Sequence, residues 1–455
     1  MKSSNYKSSI VQLLLRTSQN NIPYVVWKGI SKYELALLGL VDLDIYIPES
    51  NMASFKNIAI KQDWIEVDSR NKFQNITHFY CFDKSISKFV HIHIYFNLRT
   101  GSTLDKSYFL NPSSIISERV CNEDGVFFVS NLDHAMLHYL RINLKKKGFL
   151  NKLFYFKERF KHNREQSFLH DLDLSQEELL SLAYERYQPK NHPDKRNLCS
   201  IIFNRFFNKL LNKKKLFFSS TIVSIIGSDG SGKSTLSSEI IKNFKKDFEV
   251  KHYSFGRPSF TYSSSYIWII RQLIFYCRAI WRDVSESKNT GEHSKNILEK
   301  PSYTSIISSF ALVLLAFERK CVLKKSRAKA DNGNLVVLDR CPSLQVGQMD
   351  GPKILPSNFI TELLSKLEIY LYQSSVRVDL VIKLEVPVDV LIHRNKTRNK
   401  LGKESVNEIK HRFNLFKNYT ALSNDTKIID GSAILPIVLS NSILSIIRYL
   451  NKPRT

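Results

Sequence analysis

The nine residues from Gly227 to Thr235 constrain the fold of this chain more than any other segment. Their sequence, Gly-Ser-Asp-Gly-Ser-Gly-Lys-Ser-Thr, fits the pattern G-x-x-x-x-G-K-[ST]. An apolar run over 221–226 precedes them and predicts a buried strand, and apolar residues at helical spacing follow over 234–244. Glycines let a backbone curl around an anion, and N–H groups at a helix N-terminus attract negative charge. The segment therefore predicts a strand, a phosphate-binding loop and a helix.

This loop is predicted to bind a nucleoside triphosphate. Lys233 would reach the β- and γ-phosphates, and the Ser234 hydroxyl would ligate Mg²⁺. ATP and Mg²⁺ are therefore the expected cofactors. The residues predicted to contact the nucleotide are Gly227, Asp229, Gly230, Ser231, Gly232, Lys233, Ser234 and Thr235.

Length, charge and cysteine spacing narrow the class of protein. At 455 residues the chain is longer than a single core usually supports, so several domains are expected. The net charge of +25 would attract phosphates, nucleic acid or an anionic membrane face. The alternative interpretation is that the charge reflects only a general bias of the sequence towards lysine. Six cysteines without a C-x-x-C pair argue against a zinc site and against a disulfide framework.

The apolar pattern favours a soluble protein, and the cysteine usage fits the reducing cytoplasm. The longest apolar run, over 306–317, is shorter than the ~20 residues that a membrane helix needs. The N-terminal residues lack a following signal-peptide core and cleavage site. A homodimer is left open as the assembly state.

Strand and helix patterns divide the chain into three segments: an α+β domain over 1–130, a basic helical connector over 131–218 and an α/β domain over 219–455. In the last segment, strands are expected at 221–226, 248–254, 335–339, 379–385 and 426–429. Helices between them predict a five-stranded parallel sheet wound on both faces. The long connection over 262–330 contains helical stretches at 264–284 and 303–328, and we expect an acceptor or lid function for it.

Two further features suit phosphate chemistry. The apolar strand 335–339 ends in Asp339, where a carboxylate can organise Mg²⁺, and Arg340 follows with a guanidinium that suits a second phosphate. After the strand 379–385, the segment 393–403 is rich in basic residues. It is interpreted as a lid in which Arg394 and Arg398 offset charge during transfer. The alternative is a solvated basic face.

Together these motifs resemble the thymidylate kinase family over roughly 219–450. The resemblance rests on the glycine loop, the Asp339-Arg340 pair, Val386-Pro387 before the basic segment, and Ile428-Ile-Asp430-Gly. It implies that the loop binds ATP, that Asp229 lies near the acceptor sugar, and that Arg340 holds the acceptor phosphate. Arg394 and Arg398 would act in the transfer.

The chain departs from this family on the acceptor side. Cys341-Pro342 follows the arginine where the family has tyrosine, and Phe255-Gly-Arg257-Pro258 stands in place of Arg-Glu-Pro-Gly-Gly. The segment 348–352 and the enlarged 262–330 connection have no counterpart in the family pattern. The expected acceptor is a nucleoside monophosphate, thymidylate-like, or a related phosphorylated or sugar-like metabolite.

The first segment resembles the nucleotidyltransferase superfamily. Lys28-Gly29 is followed by Asp42-Leu-Asp44 on a predicted strand, and aspartates at alternate positions face one side of a strand, where they can hold a metal. Strands are expected at 24–27, 43–47, 78–82 and 89–96, and helices at 7–19 and 50–62. A third carboxylate is expected from the strand that contains His91 and His93, but histidines stand there. A hard Mg²⁺ site prefers oxygen ligands to imidazole, so these histidines disfavour active nucleotidyl transfer, and the alternative is that they are ordinary strand residues.

The sequence suggests three hypotheses about function. The first is an ATP-dependent kinase with a nucleotidyltransferase-like partner domain. The second is a nucleotidyltransferase-type modifying enzyme in which the glycine-loop domain senses ATP. The third is a nucleic-acid-associated ATPase, for which the sequence has neither an aromatic single-strand platform nor a reader motif. The Asp339-Arg340 pair and the basic segment favour the kinase.

Overall fold

A computed structural model describes residues 7–68, 76–100, 108–146, 174–191, 215–216, 221–256, 305–397 and 405–452. The chain divides into two compact units. The first comprises Met1–Phe217 with Asn451–Thr455, and the second comprises Phe218–Leu450. The separation of a connector from the first domain stays a prediction, because 147–173 and 192–214 lie outside the described residues.

The first unit contains two sheets. Its strands are β1 (Val25–Lys28), β2 (Leu43–Tyr46), β3 (Ile65–Asp68), β4 (Ile76–Asp83), β5 (Lys88–Tyr95), β6 (Arg99–Thr100), β7 (Tyr108–Phe109), β8 (Val120–Cys121), β9 (Phe127–Phe128), β10 (Lys190–Asn191) and β11 (Lys215–Leu216). The larger sheet is mixed, in the order β11-β3-β4-β5-β2-β1-β9-β8, and the smaller has the order β10-β7-β6. Strands at 25–28, 43–46, 76–83 and 88–95 confirm the four predicted in this segment.

Helices cover both faces of the larger sheet, because its strands alternate apolar residues between the faces. The helices are α1 (Ser9–Gln19), α2 (Tyr33–Leu37), α3 (Met52–Lys61), α4 (Ser113–Ser117), α5 (Asn131–Lys146) and α6 (Gln176–Tyr187). On one face, Val26 and Ile45 pack with Leu14 of α1. On the other, Val25 packs with Leu140 of α5. The predicted helices at 7–19 and 50–62 correspond to α1 and α3.

The second unit is built on a five-stranded parallel sheet, as predicted. Its strands are β12 (Thr221–Gly227), β13 (Val250–Ser254), β14 (Leu335–Asp339), β15 (Val378–Glu385) and β16 (Ser423–Asp430), in the order β13-β14-β12-β15-β16. Every pairing is parallel. The central strand β12 is buried along its whole length, as a strand covered on both faces must be. The carboxyl ends of all five strands therefore meet at one edge.

Six described helices accompany this sheet: α7 (Lys233–Phe244), α8 (Ile306–Asp331), α9 (Phe359–Gln373), α10 (Val388–Thr397), α11 (Val406–Lys417) and α12 (Leu435–Leu450). Helix α8 packs against α9, and α7 packs against α12. The predicted helical stretch 303–328 corresponds to α8, whereas 264–284 lies outside the described residues. Among the described helices, none combines the length and apolar character that a membrane crossing requires.

Candidate functional site

The glycine loop joins β12 to α7 at the carboxyl edge of the parallel sheet. Gly230 and Gly232 have φ of +87° and +93°, a backbone region that side chains rarely adopt, and Gly232 caps the start of α7. A Cβ on Gly227 would press on Ser231 Oγ and lie 3.2 Å from the Leu384 carbonyl oxygen. Glycine at these positions therefore avoids the backbone strain or the close contact that a side chain would add.

Lys233 lies across the loop at the first turn of α7. Its Nζ donates hydrogen bonds to the carbonyl oxygens of Gly227 and Ser228, both at 2.8 Å, and lies 3.4 Å from Asp229 Oδ1. Burial lowers the pKa of Lys233, and the charge of Asp229 opposes that effect. Ser234 and Thr235 are exposed in the same turn. The loop thus holds one ammonium and a row of hydroxyls where phosphates would bind.

Asp229 connects the loop to α11. Its Oδ2 accepts a hydrogen bond from Arg412 Nη1 at 2.8 Å, while its Oδ1 faces Lys233. Burial raises the pKa of Asp229, but Lys233, Arg340 and Arg412 together hold it below the ordinary value. The carboxylate is therefore ionised at neutral pH and balances several cations.

Asp339 ends β14 beside the glycine loop, in register with Ile225 of β12. Its Oδ2 lies 3.0 Å from His252 Nε2 of β13. Burial raises the pKa of Asp339, and the hydrogen bond and charge of His252 contribute most to lowering it below the ordinary value. Carboxylate and hydroxyl oxygens suit Mg²⁺, so Asp339 and Ser234 fit the predicted cation. Sequence reasoning missed His252, which no motif marks.

Arg340 adopts a strained backbone conformation directly after this aspartate. Its φ of +85° is rare for a residue with a side chain and costs of order 1–3 kcal/mol. The guanidinium passes over Gly256, where a Cβ would lie 3.3 Å from the arginine Nε. Such strain is concentrated at functional sites. It supports the choice of Arg340 as a site residue.

A buried ion pair stands behind Arg340. Arg319 Nη2 of α8 lies 2.9 Å from Asp350 Oδ1, and the two side chains are 6% and 4% exposed. Arg319 also donates to the Tyr372 hydroxyl and to the Gly256 carbonyl, at 2.6 Å and 2.8 Å. Arg340 Nη1 lies 3.7 Å from the same Asp350 oxygen. Asp350 therefore positions both arginines.

Neither member of this pair was predicted. The segment 348–352 had no counterpart in the family pattern, and it supplies Asp350. One signal was available for its partner: Arg319 interrupts the apolar face of a helix, and a charge there requires a buried counter-charge.

A cavity of about 790 Å³ opens in front of these arginines. Its polar lining includes Asp229 and four cations: Arg319, Arg340, Lys353 and Arg412. Leu312, Leu315 and Phe416 supply an apolar part. Burial and the neighbouring Arg319 lower the pKa of Lys353. The lining of the cavity therefore combines cationic side chains, which can bind an anion, with apolar side chains.

A second cavity, of about 530 Å³, lies beside Ser228 of the loop. Val386, Pro387, Phe413 and Ile428 supply an apolar part of its lining, and polar residues such as Lys383 and Asp430 also line it. Both cavities thus adjoin the glycine loop within the second unit.

The predicted lid is described in part. Arg394 of α10 donates a hydrogen bond to the Gly431 carbonyl at 3.1 Å. Arg398 and the rest of 398–404 lie outside the described residues. Arg412 of α11, which follows this segment in the chain, contacts the loop through Asp229.

The carboxylates predicted in the first unit lie together with a histidine. Asp44 of β2 is in register with His93 of β5, and His93 Nδ1 lies 2.9 Å from Asp42 Oδ2 and 3.1 Å from Asp44 Oδ1. Gly29 follows β1 directly and has a φ of +66°. These two aspartates thus meet an imidazole, whose nitrogen is a poorer ligand for Mg²⁺ than a carboxylate oxygen.

Comparisons with known proteins find two similar proteins of Escherichia coli K12. The uncharacterized ATP-binding protein YghR is 25% identical over 180 residues, which is 38% of this chain and 68% of YghR. The uncharacterized ATP-binding protein YghS is 28% identical over 158 residues, which is 33% of this chain and 62% of YghS. No protein-family model matches the chain.

Proposed function

We propose that the second unit is a kinase that transfers the γ-phosphoryl group of ATP to a small, already phosphorylated acceptor. One observation carries the proposal: a glycine loop, an ionised Asp339 and a strained Arg340 share one sheet edge with a cation-lined cavity. The names of the two similar E. coli proteins, which describe ATP binding, support the donor.

The donor would bind at the loop. Backbone N–H groups and the start of α7 would hold the phosphates, and Lys233 would exchange its contacts with loop carbonyls for the β- and γ-phosphates. Ser234 and Asp339 would hold Mg²⁺, which, when bound, supplies neutralising charge at the phosphate oxygens. The apolar cavity beside Ser228 has the chemistry to contact the nucleotide base.

The acceptor would occupy the larger cavity. Arg340 is 37% exposed and held from behind by Asp350, so its guanidinium can bind the acceptor phosphate. Lys353 lines the same cavity. Leu315 and Phe416 would contact the apolar remainder. A cavity of about 790 Å³ is within the range of small-molecule sites, which suits a nucleoside monophosphate, thymidylate-like, or a related metabolite.

The residues would act by positioning and by charge. An acceptor oxygen would attack the γ-phosphorus in line with the departing ADP oxygen, and no enzyme nucleophile is required. Asp229, between Lys233 and Arg412, would orient the acceptor beside the phosphates. Closure of the basic segment with Arg394 and Arg398 would exclude water and offset the charge that spreads over the transferred group.

For the first unit we propose a nucleotidyltransferase-like fold, on the Gly29 turn and the paired Asp42 and Asp44 of β2. We propose no nucleotidyl transfer by this unit, because the donor set around these aspartates departs from three carboxylates.

Activity should be measured with γ-labelled ATP and a panel of nucleoside monophosphates and sugar phosphates. Lys233→Ala should remove transfer. Arg340→Lys keeps the positive charge but cannot make bidentate hydrogen bonds to phosphate. It should therefore raise the acceptor KM about tenfold or more while leaving ATP affinity unchanged. Lys242→Ala is the matched control, since Lys242 is 68% exposed on the same helix as Lys233.

Transfer that survives Lys233→Ala would overturn the kinase proposal. A product that carries a whole nucleotidyl group, lost only in Asp42→Ala/Asp44→Ala, would move the activity to the first unit. Turnover that depends on added DNA or RNA, and falls steeply with salt, would favour a nucleic-acid-associated ATPase.

A further inference from the structure

Three histidines of the first unit lie together on one face of the larger sheet. His78 of β4 is directly opposite His93 of β5, and His91 precedes His93 by two residues, so their side chains share a face. One ring nitrogen of each lies within 4.8 Å of the others. His78 Nδ1 is 3.1 Å from His91 Nε2. This arrangement gathers three imidazole nitrogens close enough together to share one ion.

The two aspartates orient one of these imidazoles. Asp42 and Asp44 both face Nδ1 of His93, at 2.9 Å and 3.1 Å. A proton on Nδ1 satisfies these carboxylates and leaves the lone pair on Nε2. Histidines that bind metal commonly donate their other ring N–H to a carboxylate in this way. The carboxylates therefore prepare His93 to act as a nitrogen ligand.

Neighbouring aromatic rings pack against the other two histidines. Tyr80 is stacked on His91, with ring centroids 4.0 Å apart and planes inclined by 6°. His78 and His91 each meet His93 edge-on, with ring centroids 4.5 Å and 4.4 Å apart. Such packing limits rotation of the imidazoles, which lowers the entropy lost when they bind a common ion.

The chemistry of these donors selects the ion. Imidazole suits zinc and its neighbours among the transition metals, whereas Mg²⁺ requires oxygen ligands. We propose that His78, His91 and His93 form a binding site for a zinc-type divalent cation, with Asp42 and Asp44 orienting His93. Three protein ligands leave one tetrahedral position for water or a substrate oxygen, as in catalytic zinc sites.

This site is independent of the proposed kinase activity, which lies in the other unit. Cysteine spacing argued against zinc, but that criterion does not test histidines. His78 was not among the predicted site residues, because only the pairing of β4 with β5 brings it opposite His93.

The test is metal binding to the full-length protein after treatment with a chelator. Equilibrium dialysis with Zn²⁺ should give one bound ion per chain, and Co²⁺ should give the visible absorption of a tetrahedral site. A tenfold excess of Mg²⁺ should not displace either ion. His78→Gln and His91→Gln should each weaken Zn²⁺ binding at least about 100-fold, whereas Asp44→Asn should weaken it about 10–100-fold.

His411→Gln is the control, because His411 is exposed on α11 of the second unit and should bind Zn²⁺ as the parent chain does. Thermal unfolding checks that the variants fold: without metal they should melt like the parent. On addition of Zn²⁺ the parent and control should gain the most stability, Asp44→Asn less, and the histidine variants least. Equal Zn²⁺ binding by the parent chain and the His78→Gln/His91→Gln double variant would overturn the proposal. So would a single ion that Mg²⁺ displaces and that only the aspartate variants lose.

Discussion

Replacing Asp350 by asparagine tests the architecture behind the acceptor cavity. The substitution keeps the size of the side chain but removes the charge that pairs with Arg319, and both side chains are almost completely buried. Removing one partner of a buried pair costs about 3–5 kcal/mol, because the other charge is left uncompensated. Arg319 retains two neutral acceptors, the Tyr372 hydroxyl and the Gly256 carbonyl. We therefore expect the lower end, a loss of about 3 kcal/mol in the free energy of unfolding.

Calorimetry of the full chain can measure this loss. For a unit the size of Phe218–Leu450, 1 kcal/mol corresponds to about 2–4 °C in Tm, so the transition of this unit should fall by about 6–12 °C. The transition is identified as the one that ATP raises. Because Arg340 Nη1 also faces Asp350, the acceptor KM should rise in the same variant.

Two further variants distinguish the effect of breaking this buried ion pair from the effect of removing any charge. Glu362→Gln breaks an exposed pair with Lys366 on α9 and should change stability by less than about 0.5 kcal/mol. Arg319→Met with Asp350→Leu removes both charges and should recover much of the loss in stability, though not the acceptor affinity. If Asp350→Asn is no more destabilising than Glu362→Gln, the reasoning about Asp350 is wrong.

Three other predictions concern the same unit. Gly227→Ala would press a methyl group on Ser231 and Leu384, so ATP affinity measured by calorimetric titration should fall about tenfold or more; an unchanged Kd would show that the loop can relax. Ser405→Ala removes the reciprocal cap with Glu408 and should destabilise α11 by about 1 kcal/mol in urea unfolding, whereas Ser405→Asn should not. Burial raises the pKa of Glu368 above its ordinary 4.5, although hydrogen bonds from the Ile354 and Lys353 N–H groups oppose this effect. Folding therefore favours the protonated acid, and the free energy of unfolding falls as the pH rises from 4.5 through the raised pKa. Glu368→Gln should therefore gain stability over the parent chain above about pH 5 and not below pH 4, and parallel pH profiles would contradict this.

The parallel sheet and the position of the glycine loop could be predicted from the sequence because their signals are local. An apolar run, a glycine pattern and a helical repeat lie within 221–244, and they correspond to β12, the loop and α7. The position of Asp339 and Arg340 beside the loop could be predicted for the same reason, because the sequence shows where a strand ends and parallel strands end at one edge of the sheet.

Contacts between distant segments could not be predicted in this way. Asp350 pairs with Arg319 across 31 positions, and His252 reaches Asp339 from another strand. In the first unit, His78 meets His93 only through the register of two antiparallel strands. Periodicity gives the face on which each residue lies, but it does not give the partner, which depends on the tertiary packing.

The mass of the product tests the central claim most directly. Full-length protein should be incubated with Mg-ATP and each candidate acceptor, and the acceptor then weighed by mass spectrometry. Kinase activity predicts one acceptor that gains a single phosphoryl group in step with ADP formation, and no gain with Lys233→Ala. An acceptor that gains a nucleotidyl group, or ATP that is hydrolysed to free phosphate with every acceptor unchanged, would contradict the account.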